Sequence, residues 1–131
     1  MLVAPESLRE FRPNLAQARD NLRRAYQAGV KLATGSGAGN PLVFHGPAIH
    51  RELQLWVNAG IPASVALQAA TYNAAHLLRL DNRIGLLKEG YEADLLLVDG
   101  DPLSDITATE RISLVMFKGE RVNRAALFDQ E

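Results

Sequence analysis

The sequence predicts an α/β protein whose elements run helix, strand, helix, helix and then several strands. Three observations predict it. Apolar residues recur at helical spacing before residue 80. A continuous apolar run, Ala93–Val98, lies between turn signals at Glu89-Gly90 and Asp99-Gly100-Asp101-Pro102. Lys118-Gly119 separates the β-type runs Ile112–Phe117 and Glu120–Val122 in the manner of a two-residue hairpin loop.

Pro13-Asn14 opens the first helix, whose apolar positions Leu15, Ala18, Leu22 and Ala25 share a face and which stops at Gly29. Val30–Thr34 then reads as a short strand, followed by the glycine-rich loop Gly35-Ser36-Gly37-Ala38-Gly39 and by Asn40-Pro41 through Gly46-Pro47. A second helix is expected from about Ala48 to Ala59, with Ile49, Leu53, Trp56 and Val57 on one face. A third is expected from about Ala63 to Leu80, with a narrow apolar stripe of Leu67, Ala70, Ala74, Leu77 and Leu78. One strand between helices cannot satisfy its own edges, so Val30–Thr34 is expected to pair either with the later strands or with another chain.

The composition, 47% hydrophobic and 22% charged, argues against disorder. Fourteen basic and fifteen acidic residues nearly cancel, so there is no broad field to attract nucleic acid or anionic lipid. Cysteine is absent, which excludes disulfide and thiolate chemistry and leaves the compartment open. No apolar run approaches the roughly 20 residues of a membrane span. The opening Met1-Leu2-Val3-Ala4-Pro5 is too short for a signal peptide.

Several phrases, in order and at consistent spacing, carry a resemblance. They are Ala28–Ala33, His50-Arg51-Glu52-Leu53-Gln54-Leu55, Ala59-Gly60-Ile61-Pro62, Ala66–Ala75, Arg83–Leu95 and Asp99-Gly100-Asp101-Pro102-Leu103. From Asn21 to Val122 the chain resembles the C-terminal end of the amidohydrolase superfamily, in particular its imidazolonepropionase-like and prolidase-like branch. The resemblance implies a (β/α)8 barrel joined to a small β-sandwich built from both chain ends. On it, residues 1–80 hold the last barrel strand, Val30–Thr34, with its flanking helices, and residues 81–131 supply sandwich strands. A whole barrel takes about 200 residues or more, so this chain has room for the terminal unit only.

The family holds zinc or another divalent metal on histidines and a lysine or glutamate from earlier strands, and the metal lowers the pKa of bound water. An aspartate ending the eighth strand, in a Gly-Ser/Thr-Asp-Ala-Gly phrase, binds metal and relays a proton to the leaving nitrogen. Here that position is Gly37, which has no side chain to do either. Ser36 is a poor substitute, being a neutral hydroxyl. The resemblance therefore implies a catalytically incomplete C-terminal fragment or truncated homologue of an enzyme that hydrolyses C–N bonds in amide, cyclic amide or peptide-like substrates. The isolated chain is expected to have no cofactor of its own.

Ser36, Asn40 and His45 are the candidates for a substrate-facing loop. His45 and His50 are also weighed as a metal pair, but Glu52 is the only nearby acid and a site needs further ligands. His50 is alternatively a packing or capping residue, and His76 a surface or helix-contact one. Gly35, Gly37 and Gly39 are not spaced as a nucleotide-binding fingerprint, and Asn40-Pro41 stands where its helix would begin. Asp94, Asp99 and Asp101 read as turn and strand-edge residues, and Trp56 as core.

Two further readings stay open beside the incomplete hydrolase. One is a non-catalytic structural or regulatory module that self-associates. The other is a split enzyme in which a second polypeptide supplies the missing barrel strands, with activity low unless Gly37→Asp is made. The expected physical state is a homo-oligomer or a complex with the missing N-terminal barrel portion, because an isolated barrel end leaves apolar surface in water.

Overall fold

The computed structural model describes residues 14–41 and 43–127. Helix α1 spans Leu15–Gln27, α2 Pro47–Asn58, α3 Ala63–Ala70 and α4 Tyr72–Leu77. Strands β1 (Leu95–Val98), β2 (Ile112–Phe117) and β3 (Glu120–Arg121) follow, with a 3-10 turn at Ile106–Glu110 and another at Ala125–Leu127. Pro13 and the terminal residues named in the sequence analysis lie outside the described residues.

Asn14 caps α1, its Oδ1 accepting the Gln17 N–H at 3.1 Å. At the other end the Gly29 N–H donates to Tyr26 O and the Val30 N–H to Ala25 O, the paired bonds of a Schellman stop. The same pair ends α2, from Gly60 to Val57 O and from Ile61 to Trp56 O. That stop turns Ile61 inward, where it is 1% exposed. Ile61, Leu53, Trp56, Ala66 and Ala69 form the core, with Leu22, Tyr26 and Leu32 packed against it. Ile106, from the first 3-10 turn, completes it.

Two sequence expectations are corrected here. The helix expected from Ala63 to Leu80 is broken at Thr71, whose φ of −122° and ψ of −92° are not helical. The Thr71 hydroxyl donates back to Leu67 O at 2.9 Å, a bond that competes with the helical backbone. The break re-aims the second half, so Ala75 is buried while Leu77 and Leu78 are 73% and 66% exposed. The stripe foreseen through Leu77 and Leu78 is therefore not the buried face.

Val30–Thr34 is not a strand in this structure, because no strand lies beside it among the described residues. Its polar groups are satisfied by helices instead. The Thr34 N–H donates to Ala69 O at 3.2 Å, and the Asn73 Nδ2 donates to Leu32 O at 2.7 Å. Backbone that lacks a ladder must find other partners when it is packed against a core.

The sheet is three-stranded and antiparallel in the order β1-β2-β3. Leu95, Leu96 and Leu97 pair with Met116, Val115 and Leu114, and Val98 pairs with Ile112, so Ser113 is the extra residue of a bulge. Its hydroxyl donates to Leu97 O at 3.2 Å. The β2–β3 hairpin turns at Lys118-Gly119 with φ of +50° and +83°, the pair of positive values a tight two-residue loop needs. The Lys118 N–H donates to Asp94 Oδ1 at 2.6 Å, which anchors the turn to the start of β1.

Candidate functional site

The loop after Thr34 is tied down at its entry and closed on itself beyond. At the entry, the Gly35 N–H donates to Glu52 Oε1 at 3.0 Å, which fixes the loop to α2. Further on, the Asn40 backbone N–H and side-chain Nδ2 both donate to Gly37 O, at 3.1 and 2.8 Å. The Val43 N–H donates to Asn40 O and the Gly39 N–H to Val43 O. Gly37 has a φ of +66°, a left-handed conformation that residues with a Cβ adopt at a cost. A Cβ there would lie 3.2 Å from Asn40 Nδ2. Gly37, the residue that the resemblance would align with the family's aspartate, is thus part of a turn built on glycine.

The candidate residues are partly brought together. Asn40 belongs to the loop through its bonds to Gly37. The exposed His45 lies against Gly39, its Nε2 3.7 Å from where a Cβ on that glycine would sit. Ser36 faces a groove of about 460 Å3, lined also by Gly35, Phe44, Pro47, Arg51 and Leu55.

His50 does something different. Its Nδ1 lies 3.1 Å from Thr109 Oγ1, linking α2 to the 3-10 turn. Of His45, His50 and Glu52, His50 is thus engaged through Nδ1 and Glu52 through Oε1. Among the described residues the Glu52 Oε2 has no hydrogen-bond partner and is out of contact with solvent. Among the described residues no three His, Asp or Glu side chains converge as a metal-holding group. This donor set does not fit a divalent metal.

Three carboxylates outside the loop, those of Asp81, Asp101 and Asp105, tie local structure together. Asp81 accepts from His76 Nδ1 at 2.7 Å, and this hydrogen bond holds its carboxyl below the ordinary value of 3.8. Asp101 is held low by the Ser104 hydroxyl and then the Leu103 N–H. Asp105, the cap of the 3-10 turn, is held low by the Thr107 hydroxyl and then its N–H. The sequence did not reveal the Glu52–Gly35 and Asn73–Leu32 bonds, because partners far apart in the chain leave no local spacing signature.

Comparison with known proteins places this arrangement in a family. A model of the Amidohydrolase family matches residues 3–122, and the chain belongs to that family. The chain is 36% identical to an adenine deaminase of Leuconostoc citreum over 73% of its own length and 16% of that protein. It is 43% identical to an imidazolonepropionase of Kosmotoga olearia, over 36% of this chain and 12% of that one. Among solved structures, a Xaa-Pro dipeptidase superposes with a TM-score of 0.76 at 37% identity, covering 82% of this chain and 26% of the dipeptidase. The chain therefore spans well under a third of each of these proteins. No helix among the described residues is long and apolar enough to cross a membrane.

Proposed function

We propose that this chain is the C-terminal portion of a metal-dependent amidohydrolase unit acting on C–N bonds in amide, cyclic amide or peptide-like substrates, and that it is catalytically incomplete alone. Residues 1–80 would supply the last barrel segment with its helices, and residues 81–131 the sandwich strands. Val30–Thr34 becomes the eighth barrel strand only when neighbouring strands are provided. Metal, and the histidines that hold it, come from outside these residues. The loop bearing Ser36, Asn40 and His45 would face the substrate at the barrel mouth.

The observation that carries this reading is the self-closed turn at Gly37, in a chain matched by the family over most of its length. Relatives named as a deaminase and a dipeptidase both cleave C–N bonds, which supports the reaction class. The test is a hydrolysis assay of the purified chain with zinc against amide, cyclic amide and dipeptide substrates. No turnover is expected, and Gly37→Asp alone restores none. Turnover by the unaltered chain that a chelator abolishes overturns the reading.

A second reading, a self-associating module without chemistry, is favoured by one observation. Phe44, Leu77 and Leu78 are large apolar residues left exposed on the helical part. Sedimentation velocity tests it: a monomer across the micromolar range excludes the module, whereas a homo-oligomer is expected of an incomplete barrel end as well.

A further inference from the structure

Most of the described aspartates have an engaged carboxylate. Asp20 accepts from Arg23, Asp81 from His76 and Asp94 from the Lys118 N–H. Asp101 accepts from the Leu103 N–H and the Ser104 hydroxyl, and Asp105 from Thr107. Asp99 differs. Among the described residues its carboxylate enters none of the ion pairs, which use Asp20, Asp81, Glu92 and Asp105, and none of the hydrogen bonds.

Asp99 is also the aspartate followed by glycine, where the others precede Asn21, Asn82, Leu95, Pro102 and Ile106. Proline has no N–H, and a β-branched isoleucine crowds its own. Gly100 presents neither obstacle, and Asp99 and Gly100 are both exposed. Among the described residues the Gly100 N–H donates to no acceptor, whereas the preceding Asp99 N–H donates to Arg111 O at 2.8 Å. The main chain is therefore held at Asp99, while its carboxyl and the next amide nitrogen are free to react.

Arg111 grips the peptide group that joins them. Its Nε donates to Asp99 O at 2.8 Å. Its Nη2 lies 2.7 Å from where a Cβ on Gly100 would sit, so the guanidinium covers a position that glycine holds at φ +111°. Asp99 O is the carbonyl oxygen of the Gly100 amide. A cationic donor on that oxygen draws electron density from the amide nitrogen and makes its N–H more acidic. Such a charge-assisted bond is roughly twice as strong as a neutral one.

These groups suffice for a rearrangement. The Gly100 nitrogen attacks Asp99 Cγ, an N–Cγ bond forms, and the carboxyl OH leaves as water with the amide proton. The product is a five-membered succinimide. A water molecule then adds to the main-chain carbonyl carbon of Asp99, and the bond from that carbon to the Gly100 nitrogen breaks. The chain now runs through Cγ, as isoaspartate. Water is released and then consumed, and nothing is oxidised or reduced.

We propose that Asp99–Gly100 is a site of spontaneous isoaspartate formation in the folded chain, and that Arg111 promotes it through Asp99 O. The modification goes beyond the hydrolytic reading and does not depend on it. The extra backbone atom falls just after β1, beside the bulge at Ser113, and it breaks the register of the two bonds between Asp99 and Arg111.

The test ages the full chain at neutral pH beside the synthetic peptide Leu-Val-Asp-Gly-Asp-Pro. Isoaspartate is located by peptide mapping and by methyl transfer from S-adenosylmethionine with a protein isoaspartate methyltransferase. It is expected at residue 99, preceded by a species lighter by one water, at a rate at least equal to that of the peptide. Asp99→Glu, which would need a six-membered ring, should give none. Arg111→Met keeps the apolar stem and should slow formation about fivefold. It should also slow base-catalysed solvent exchange of the Gly100 N–H, which a merely structural loosening would speed. Isomerisation slower in the folded chain than in the peptide, or seen only after unfolding in urea, would overturn the site. An unchanged or faster rate in Arg111→Met would overturn the part given to Arg111.

Discussion

The imidazole Nδ1 of His50 lies 3.1 Å from the hydroxyl of Thr109, which is itself 2.8 Å from Ile106 O. When the one hydroxyl proton of Thr109 is given to Ile106 O, the hydroxyl accepts from the Nδ1–H tautomer of His50. The contact pins α2 to the 3-10 turn whose Ile106 closes the core. A part-buried bond of this kind costs most when only one partner is removed.

Thr109→Val keeps the shape of the side chain and leaves the His50 Nδ1–H without an acceptor. A loss of about 1–3 kcal/mol is expected in urea unfolding. Nitrogen NMR of the unaltered chain should show Nδ1 protonated. An unchanged midpoint, or a ring protonated only at Nε2, would contradict the assignment.

Arg79 ends α4 at the position that Gly29 and Gly60 hold in α1 and α2. The Arg79 N–H donates to His76 O and the Leu80 N–H to Ala75 O, and Arg79 has a φ of +59°. A residue with a Cβ pays about 1–2 kcal/mol there, partly offset by the lower flexibility of arginine in the unfolded chain. Arg79→Gly should therefore raise stability by about 0.5–1 kcal/mol, read from the thermal midpoint. A lowered midpoint would mean that the arginine side chain contributes more than its backbone strain removes.

Gly85 lies where no side chain fits. A Cβ would come within 2.9 Å of the Ala75 Cβ and 3.0 Å of the Tyr72 Cα, and the φ of +92° adds backbone strain. Gly85→Ala should destabilise the fold by about 2–4 kcal/mol, the sum of overpacking and strain. In the background of Ala75→Gly, which removes one of the obstacles, the loss caused by Gly85→Ala should be smaller than in the unaltered chain. No loss at Gly85→Ala would show that α4 can shift away.

Stability should fall in acid, with a definite sign. Asp81, Asp101 and Asp105 have carboxyls held below 3.8 in the folded state. Where the folded pKa is depressed, the unfolded chain binds protons first, so stability rises with pH. The contribution is complete above the ordinary value of 3.8 and is lost as pH falls through the lower folded values. Asp81→Asn should flatten part of this dependence below about pH 4, measured by circular dichroism along a pH series. An identical acid profile for the variant would remove Asp81 from the account.

Much of the order of elements was legible along the chain. The Asn14 cap, the stops at Gly29 and Gly60, the apolar run into β1 and the Lys118-Gly119 hairpin are local devices, each specified by residues within one turn of one another. The phrases shared with the family were legible for the same reason, since they lie in unbroken sequence.

What the local pattern could not decide is equally specific. Val30–Thr34 has the residues of a strand, but a strand exists only when another pairs with it, and in this fold Ala69 and Asn73 take its hydrogen bonds instead. Leu77 and Leu78 fit a helical stripe, yet the break at Thr71 turned them to solvent. In the candidate site the sequence singled out Gly37 through its resemblance to a family phrase, while only the tertiary structure placed it at φ +66° in a turn closed by Asn40. Likewise it separated His50 from His45 by giving the first to Thr109. Sequence by itself determined the elements whose energy is local, and the tertiary structure decided every role that depends on a partner distant in the chain.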